Sequence, residues 1–267
     1  LSKLGIEHEL ITLRDTFDDF WSLENRYPPK NELQKQLLAE IEKFQVHNSI
    51  QTTYPKGCCS PITRILFNAL STDSIYEQYP RLSSIRQYFK SGNARVIWGA
   101  CRRQYFQTAL QIGEWYVDVA NDTVDVTKPK VEIHRMDSPD CPFEFIRDLK
   151  IYISIKESYH QVRVYRNSVF PKLVTQFPII AISNTTENVE IDPSLYPYGL
   201  RKTDRDYEIT LSKLPELPTE IIHWIHQQPE LIAYISPTKN YPNPGPESLK
   251  QQHKLEVTAI NTLLKKK

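Results

Sequence analysis

A chain of 267 residues is long enough for one large domain, or for a core with a substantial accessory region, and can bury a sizeable apolar interior. Its 33 Lys and Arg nearly balance 32 Asp and Glu, so no global field favours nucleic acid, an anionic membrane or a strongly charged substrate. Seven glycines are few, and neither G-x-G-x-x-G nor G-x-x-x-x-G-K-[ST] occurs, which argues against a nucleotide cradle of Rossmann or P-loop type. The four cysteines, Cys58, Cys59, Cys101 and Cys141, lack C-x-x-C spacing and so form neither a zinc ribbon nor a thioredoxin-type pair. No apolar run approaches the roughly 18 to 20 residues that span a bilayer, and no secretory leader is visible at Leu1. The expectation is a cytoplasmic, reducing setting without a cofactor; a removed leader or trimmed start stays open because the chain begins without Met.

In chain order, helices are expected through Ile6 to Asn25 and Asn31 to Phe44, separated by Pro28-Pro29 and serving as a covering layer. Ile62, Ile65, Leu66, Ala69 and Leu70 form the stripe of an amphipathic helix, with Ser60 placed to cap it and Pro61 suited to its first turn. A helical stretch follows over Arg81 to Phe89, then a short strand over Ala94 to Trp98. Tyr105 to Ala120 alternates on both sides of Gly113-Glu114, a Gly-X pair suited to a type II′ turn, and reads as a β-hairpin. In that register Phe106, Leu110, Ile112, Trp115, Val117 and Val119 make an apolar face. Tyr105, Gln107, Ala109, Gln111, Tyr116, Asp118 and Ala120 make the other, more polar one. Val131 to Met136 is a third strand. Beyond Ser138-Pro139, Leu149 to Ile155, Val162 to Tyr165 and Ile179 to Ile182 read as strands, and Thr219 to Gln228 and Ser248 to Leu264 as helices. The chain is divided near residue 139, into 1–138 and an accessory α/β region 139–267, within an α+β fold class.

Cysteine attacks as the thiolate, and a helix N-terminus favours that anion and can also support an oxyanion through its unpaired amides. Cys59, one residue before the expected helix, has such a position, and Cys58 is one residue further out. The residues do not choose between the two. The string Tyr54-Pro55-Lys56-Gly57-Cys58-Cys59-Ser60-Pro61-Ile62-Thr63 resembles the F-P-x-G-x-C-x-x-x-[ST] opening of a group of bacterial transglutaminase-like, papain-fold proteins. The likeness continues over Arg95 to Gly99, Gln107 to Gln111 and Asp118 to Val124, roughly seventy residues in all. It implies a papain-like core of a helix and an antiparallel sheet, with Cys59 as the nucleophile, Asp118 as the orienting carboxylate, and Gln107 in the histidine slot.

The hairpin register agrees independently, since it sets Gln107 opposite Ala120 and diagonal to Asp118. Glutamine cannot take the thiol proton at neutral pH. Either the base is lost or another histidine serves, and His134, with Asp137 three residues on, is the best substitute. Two functions follow: a cysteine-dependent acyl-transfer enzyme (amide hydrolase, deamidase or transglutaminase type), or a catalytically inactive binding or scaffolding protein on the same fold. Either would meet a protein or peptide as substrate or partner. A carboxylate-metal enzyme built on Asp118, Asn121, Asp122 and Asp125 is a third reading, though Asn-Asp is also ordinary turn chemistry. Cys101 beside Arg102 and Arg103 reads as a core thiol in a loop. Asp204-Arg205-Asp206 would share a face only on a strand, and His223 with His226 reads as a solvated helix face rather than a zinc site.

Overall fold

The computed structural model describes residues 3–21, 35, 55–171, 173–174, 177–186, 188–192, 205–235 and 246–264. The expected helix over Asn31 to Phe44 lies, except for Lys35, outside them. The chain forms two compact units, Leu1–Arg102 with Phe106–Glu144, and Arg103–Tyr105 with Phe145–Lys267. The architecture is α+β, with helices against antiparallel sheets.

In the first unit, helix α1 (Lys3–Trp21) buries Ile6, Leu10, Leu13 and Phe17, spaced four, three and four apart so that one stripe faces the core. Helix α2 (Cys59–Leu70) buries Ile62, Ile65, Leu66, Ala69 and Leu70 in the same cluster. Each of these leucine, isoleucine and phenylalanine side chains contributes about 1.5 to 3 kcal/mol by leaving water. Short helices α3 (Ser74–Gln78) and α4 (Ser83–Lys90) follow, joined by a 3-10 turn at Pro80–Leu82. The expected Ser60 cap is not made. The helix begins at Cys59, Ser60 lies inside its first turn, and no side chain caps it, because the turn closed by the Cys58 N–H on the Pro55 carbonyl (3.0 Å) already brings the chain into helix.

The sheet has strands β1 (Ala94–Cys101), β2 (Tyr105–Ile112), β3 (Trp115–Asp118), β4 (Glu132–Arg135) and β5 (Phe143–Glu144), in the order β4-β3-β2-β1-β5. The β2–β3 register pairs Ile112 with Trp115 and Leu110 with Val117, as alternation about Gly113-Glu114 predicts. Gly113 has φ +56°, and a Cβ there would meet the Tyr88 ring at 2.5 Å, so the turn needs glycine twice over. The Thr63 hydroxyl donates to the Thr108 carbonyl at 2.9 Å and pins α2 to β2. Leu110, Ile112, Val117 and Val119 join the helical core, as expected. The opposite face is also buried: Gln107, Ala109, Tyr116 and Asp118 are closed off, and Ala109 and Tyr116 pack with Ile97 and Phe143. Phe143 belongs to β5, an edge strand paired with β1 that the sequence pattern did not indicate.

Arg14 fastens α1 to the segment after β3. It is fully buried, its Nη1 donates to the Val119 carbonyl (2.7 Å), and its guanidinium pairs with both carboxylate oxygens of Asp122 (3.0 and 3.3 Å). Nε reaches Asp18 at 2.9 Å, and Lys130 bonds Asp15 and Asp18, both at 2.6 Å. The ion pair therefore has the additional hydrogen bonds that a buried pair requires.

In the second unit, sheet β6 (Val162–Arg166), β7 (Ile179–Ser183) and β8 (Val189–Ile191) is antiparallel in that order. Leu149 to Ile155, expected as a strand, is the start of helix α5 (Leu149–Tyr159). The Asp148 side chain accepts from the Lys150 N–H as an N-cap, and burial of Leu149, Tyr152, Ile153 and Ile155 follows the helical rather than the alternating pattern. The Tyr152 hydroxyl donates to buried Asp192 (2.5 Å), which Lys156 neutralises at 3.2 Å. Helices α6 (Arg205–Ser212), α7 (Thr219–His226), α8 (Pro229–Ile235) and α9 (Pro246–Leu264) complete the unit. Asn261 of α9 exchanges two hydrogen bonds with the Ile191 backbone (2.8 and 2.9 Å), closing the edge of β8 as a strand would. Arg205 opens a helix, so the strand that would align Asp204 with Asp206 does not form, and Asp204 lies outside the described residues.

Replacing Arg14 with Met leaves Asp122 buried without its cation and is expected to cost about 3 to 5 kcal/mol in urea unfolding. Adding Asp122→Asn to that variant should recover part of the loss. An Arg14→Met cost below about 1 kcal/mol would show that the pair does not hold the fold.

Candidate functional site

The site is assembled where the start of α2 meets the hairpin. Cys59, the first residue of α2, is partly exposed, and Cys58 before it is fully buried with its thiol turned toward the Lys56 carbonyl at 3.6 Å. The structure thus separates the two cysteines that the residues alone left equivalent. Burial pushes the Cys59 thiol above its ordinary pKa. The Thr108 backbone pulls it down, the negative charge of Asp118 pushes it up again, and the Thr108 hydroxyl and Ser60 backbone give smaller downward pulls. At neutral pH Cys59 is therefore a neutral thiol held among donors.

Gln107 and Asp118 form a buried pair. Gln107 Nε2 donates to both Asp118 oxygens (2.9 and 2.8 Å) and to the Ala120 carbonyl (3.0 Å). The Tyr116 hydroxyl donates to Asp118 Oδ2 at 3.0 Å and the Ala120 N–H to Oδ1 at 2.8 Å. The carboxylate so surrounded leaves no choice of amide orientation, because the opposite one would set the Gln107 oxygen against Asp118. Gln107 Oε1 is consequently a buried acceptor with no hydrogen-bond donor, a situation that costs about 1 to 3 kcal/mol. Desolvation raises Asp118 to a pKa of about 6, against the lowering effect of the Ala120, Gln107 and Tyr116 donors. Burial and the Asp118 charge hold the Tyr116 hydroxyl well above its ordinary value.

The structure brings Gln107 to Asp118, as both register and resemblance imply, and brings Cys59 to Thr108, the next residue along β2. Cys59 makes no hydrogen bond with Gln107, and among the described residues no histidine bonds to it. His134 does lie on the expected strand, opposite Tyr116, but its Nε2 bonds Glu132 Oε1 at 3.0 Å. The expected Asp137 partner is corrected: Asp137 pairs with Arg135 at 3.0 Å, because Arg135 is nearer along the same turn. Burial pushes the Glu132 carboxyl up, but His134 and Arg102 (2.8 Å) more than offset it and hold it below the usual range.

The remaining candidates are drawn elsewhere. Asp122 is committed to Arg14 and Asp125 to Thr127 (2.9 and 2.7 Å), and among the described residues no three His, Cys, Asp or Glu side chains converge as metal ligands. Cys101 ends β1 rather than lying in a loop, buried with Arg102 Nη1 at 3.4 Å from its sulfur. His223 and His226 are exposed, across α7 from buried Ile221 and Ile225. Three contributors were missed in the sequence: Thr108, Tyr116 and Arg14. Alternation about Asp118 places Tyr116 on its face, and Thr108 adjoins Gln107, but nothing local distinguishes Arg14. No family model, curated protein or solved structure matches the chain. Among the described residues no helix is long and apolar enough to cross a membrane.

The raised Asp118 pKa sets a pH dependence. The folded state binds this proton more tightly than the unfolded chain, whose carboxyl titrates near 3.9, so stability from this group falls as pH rises from about 4 to about 6. The two-unit difference corresponds to roughly 3 kcal/mol. The melting temperature of the wild type relative to an Asp118→Asn variant should therefore rise as pH is lowered through 6. A difference that stays flat between pH 7 and pH 4 would contradict the buried, neutral-donor environment.

Proposed function

We propose that this chain carries a transglutaminase-like, papain-type cysteine core that has lost its general base and now serves as a binding or scaffolding protein for a protein or peptide partner. The observation that carries the proposal is the Gln107–Asp118 pair. The glutamine amide takes the hydrogen-bonding place beside the carboxylate that an imidazole N–H would take, yet its oxygen cannot accept the thiol proton.

The rest of the site is consistent with that reading. Cys59 sits at a helix start, where backbone amides favour an anion, but desolvation and the Asp118 charge leave the sulfur protonated. His134, the substitute base, spends its Nε2 on Glu132. An acyl-transfer enzyme would need a base at the sulfur, and the described residues supply none there. An uncharged thiol with no base beside it does not suit turnover.

The test is reconstitution. Wild type is expected to show no acylation of Cys59 by an activated acyl ester above that of an exposed model thiol. Gln107→His, which restores an imidazole beside Asp118, should raise the acylation rate on the order of 10²-fold, the scale of general-base assistance. Cys59→Ala in that background should abolish the gain. Rapid acylation of wild-type Cys59, lost in Cys59→Ala, would overturn the proposal and favour an active enzyme with another base.

A further inference from the structure

The turn that follows β3 is bound from four sides within the first unit. Its centre is Ala120, whose N–H donates to Asp118 and whose carbonyl accepts from Gln107 Nε2 and from the N–H and hydroxyl of Thr123 (3.1 and 2.7 Å). On either side of Ala120, Arg14 takes the Val119 carbonyl and the Asp122 carboxylate. Thr123 in turn accepts at its carbonyl from the Gly57 N–H (3.0 Å), which lies two residues before Cys59. A cation on α1 therefore holds the Val119 carbonyl, which shares a peptide group with the Ala120 N–H that donates to Asp118, and the Asp122 side chain two residues beyond Ala120.

We propose that Arg14 is a positioning residue of the site: through the Ala120 peptide it sets where Gln107 and Asp118 lie, which makes α1 a part of the site rather than a cover over it. This rests on the reading of Cys59, Gln107 and Asp118 as one site. A helix used only as cover would need apolar contacts, which Leu10, Leu13 and Phe17 already supply. Arg14 instead places a fully desolvated guanidinium on a main-chain carbonyl and a carboxylate of the one turn that orders the pair. Its planar fork serves both acceptors at once, a geometry that a lysine ammonium does not reproduce.

The experiment measures labelling of Cys59 by a thiol-reactive probe across pH in a Cys141→Ser background, in the full chain, alongside thermal stability. Arg14→Lys and, separately, Asp122→Asn should speed Cys59 labelling at a fixed neutral pH by roughly threefold or more and move the pH profile to lower pH, as the ordered turn loosens and the thiol is rehydrated. Leu10→Ala, which loosens α1 without touching the Arg14 contacts, should lower the melting temperature yet leave the profile in place. If it shifts the profile as much as the Arg14 and Asp122 variants do at equal thermal loss, or if those two leave labelling unchanged, Arg14 is a fold staple only and the inference is overturned. Asp122→Asn decides alone if Arg14→Lys does not fold. Asp118→Asn separates the two readings. If it speeds labelling while the Arg14 and Asp122 variants do not, positioning alone fails; if it too has no effect, the grouping of Cys59 with Asp118 fails and the positioning inference falls with it.

Discussion

A carboxylate almost wholly out of water must be given donors, and Asp118 is the group around which the first unit is arranged. Its donors are all neutral: the Gln107 amide, the Tyr116 hydroxyl and the Ala120 N–H. One comes from β2, one from β3 and one from the turn beyond, so satisfying this single side chain fixes the strand pairing and the chain reversal together. Because no cation is among these donors, the charge remains costly and the carboxyl titrates near neutrality. The same charge also acts on Cys59 and opposes its ionisation.

The proposed function rests on which residue stands at 107. An imidazole beside Asp118 would be oriented by the carboxylate and left with a second nitrogen for a proton. A glutamine satisfies the carboxylate equally well but leaves an acceptor that cannot store a proton in the neutral range. Either residue would thus suit the architecture, but only the imidazole would suit proton transfer. On the proposed reading, that asymmetry is how a helix-borne cysteine, a strand-borne carboxylate and the donors at the sulfur stand together without forming a catalytic set.

Much of this was legible in the sequence, for physical reasons that also mark where legibility ended. The hairpin register followed from period-two alternation about Gly113, whose positive φ is a local property, and so the meeting of Gln107 with Asp118 was predictable. Helix α2 was legible from its apolar stripe, but its first residue was not, because Pro55 to Cys58 enter it through a backbone turn rather than a side-chain cap. Leu149 to Ile155 alternates in hydrophobicity, which suggests a strand, but the Asp148 cap and the burial of Tyr152 beside Ile153 go with a helix. Arg14 was invisible because an arginine between Leu13 and Phe17 looks like the edge of an amphipathic helix, and its partners lie more than a hundred residues away. Packing on the second face of the sheet includes Phe143, from a two-residue strand too short to show a period.

Cys59 stays protonated because burial and the Asp118 charge outweigh the donors at its sulfur, and no base among the described residues serves it. The most direct measurement is the ultraviolet absorbance of its thiolate as pH is raised, taken as the difference between wild type and Cys59→Ala. No Cys59 thiolate is expected through the neutral range, and its titration should lie above the ordinary cysteine value. Thiolate present at neutral or acidic pH would contradict it, because an ion pair of the kind that activates a cysteine nucleophile would then exist in the folded protein.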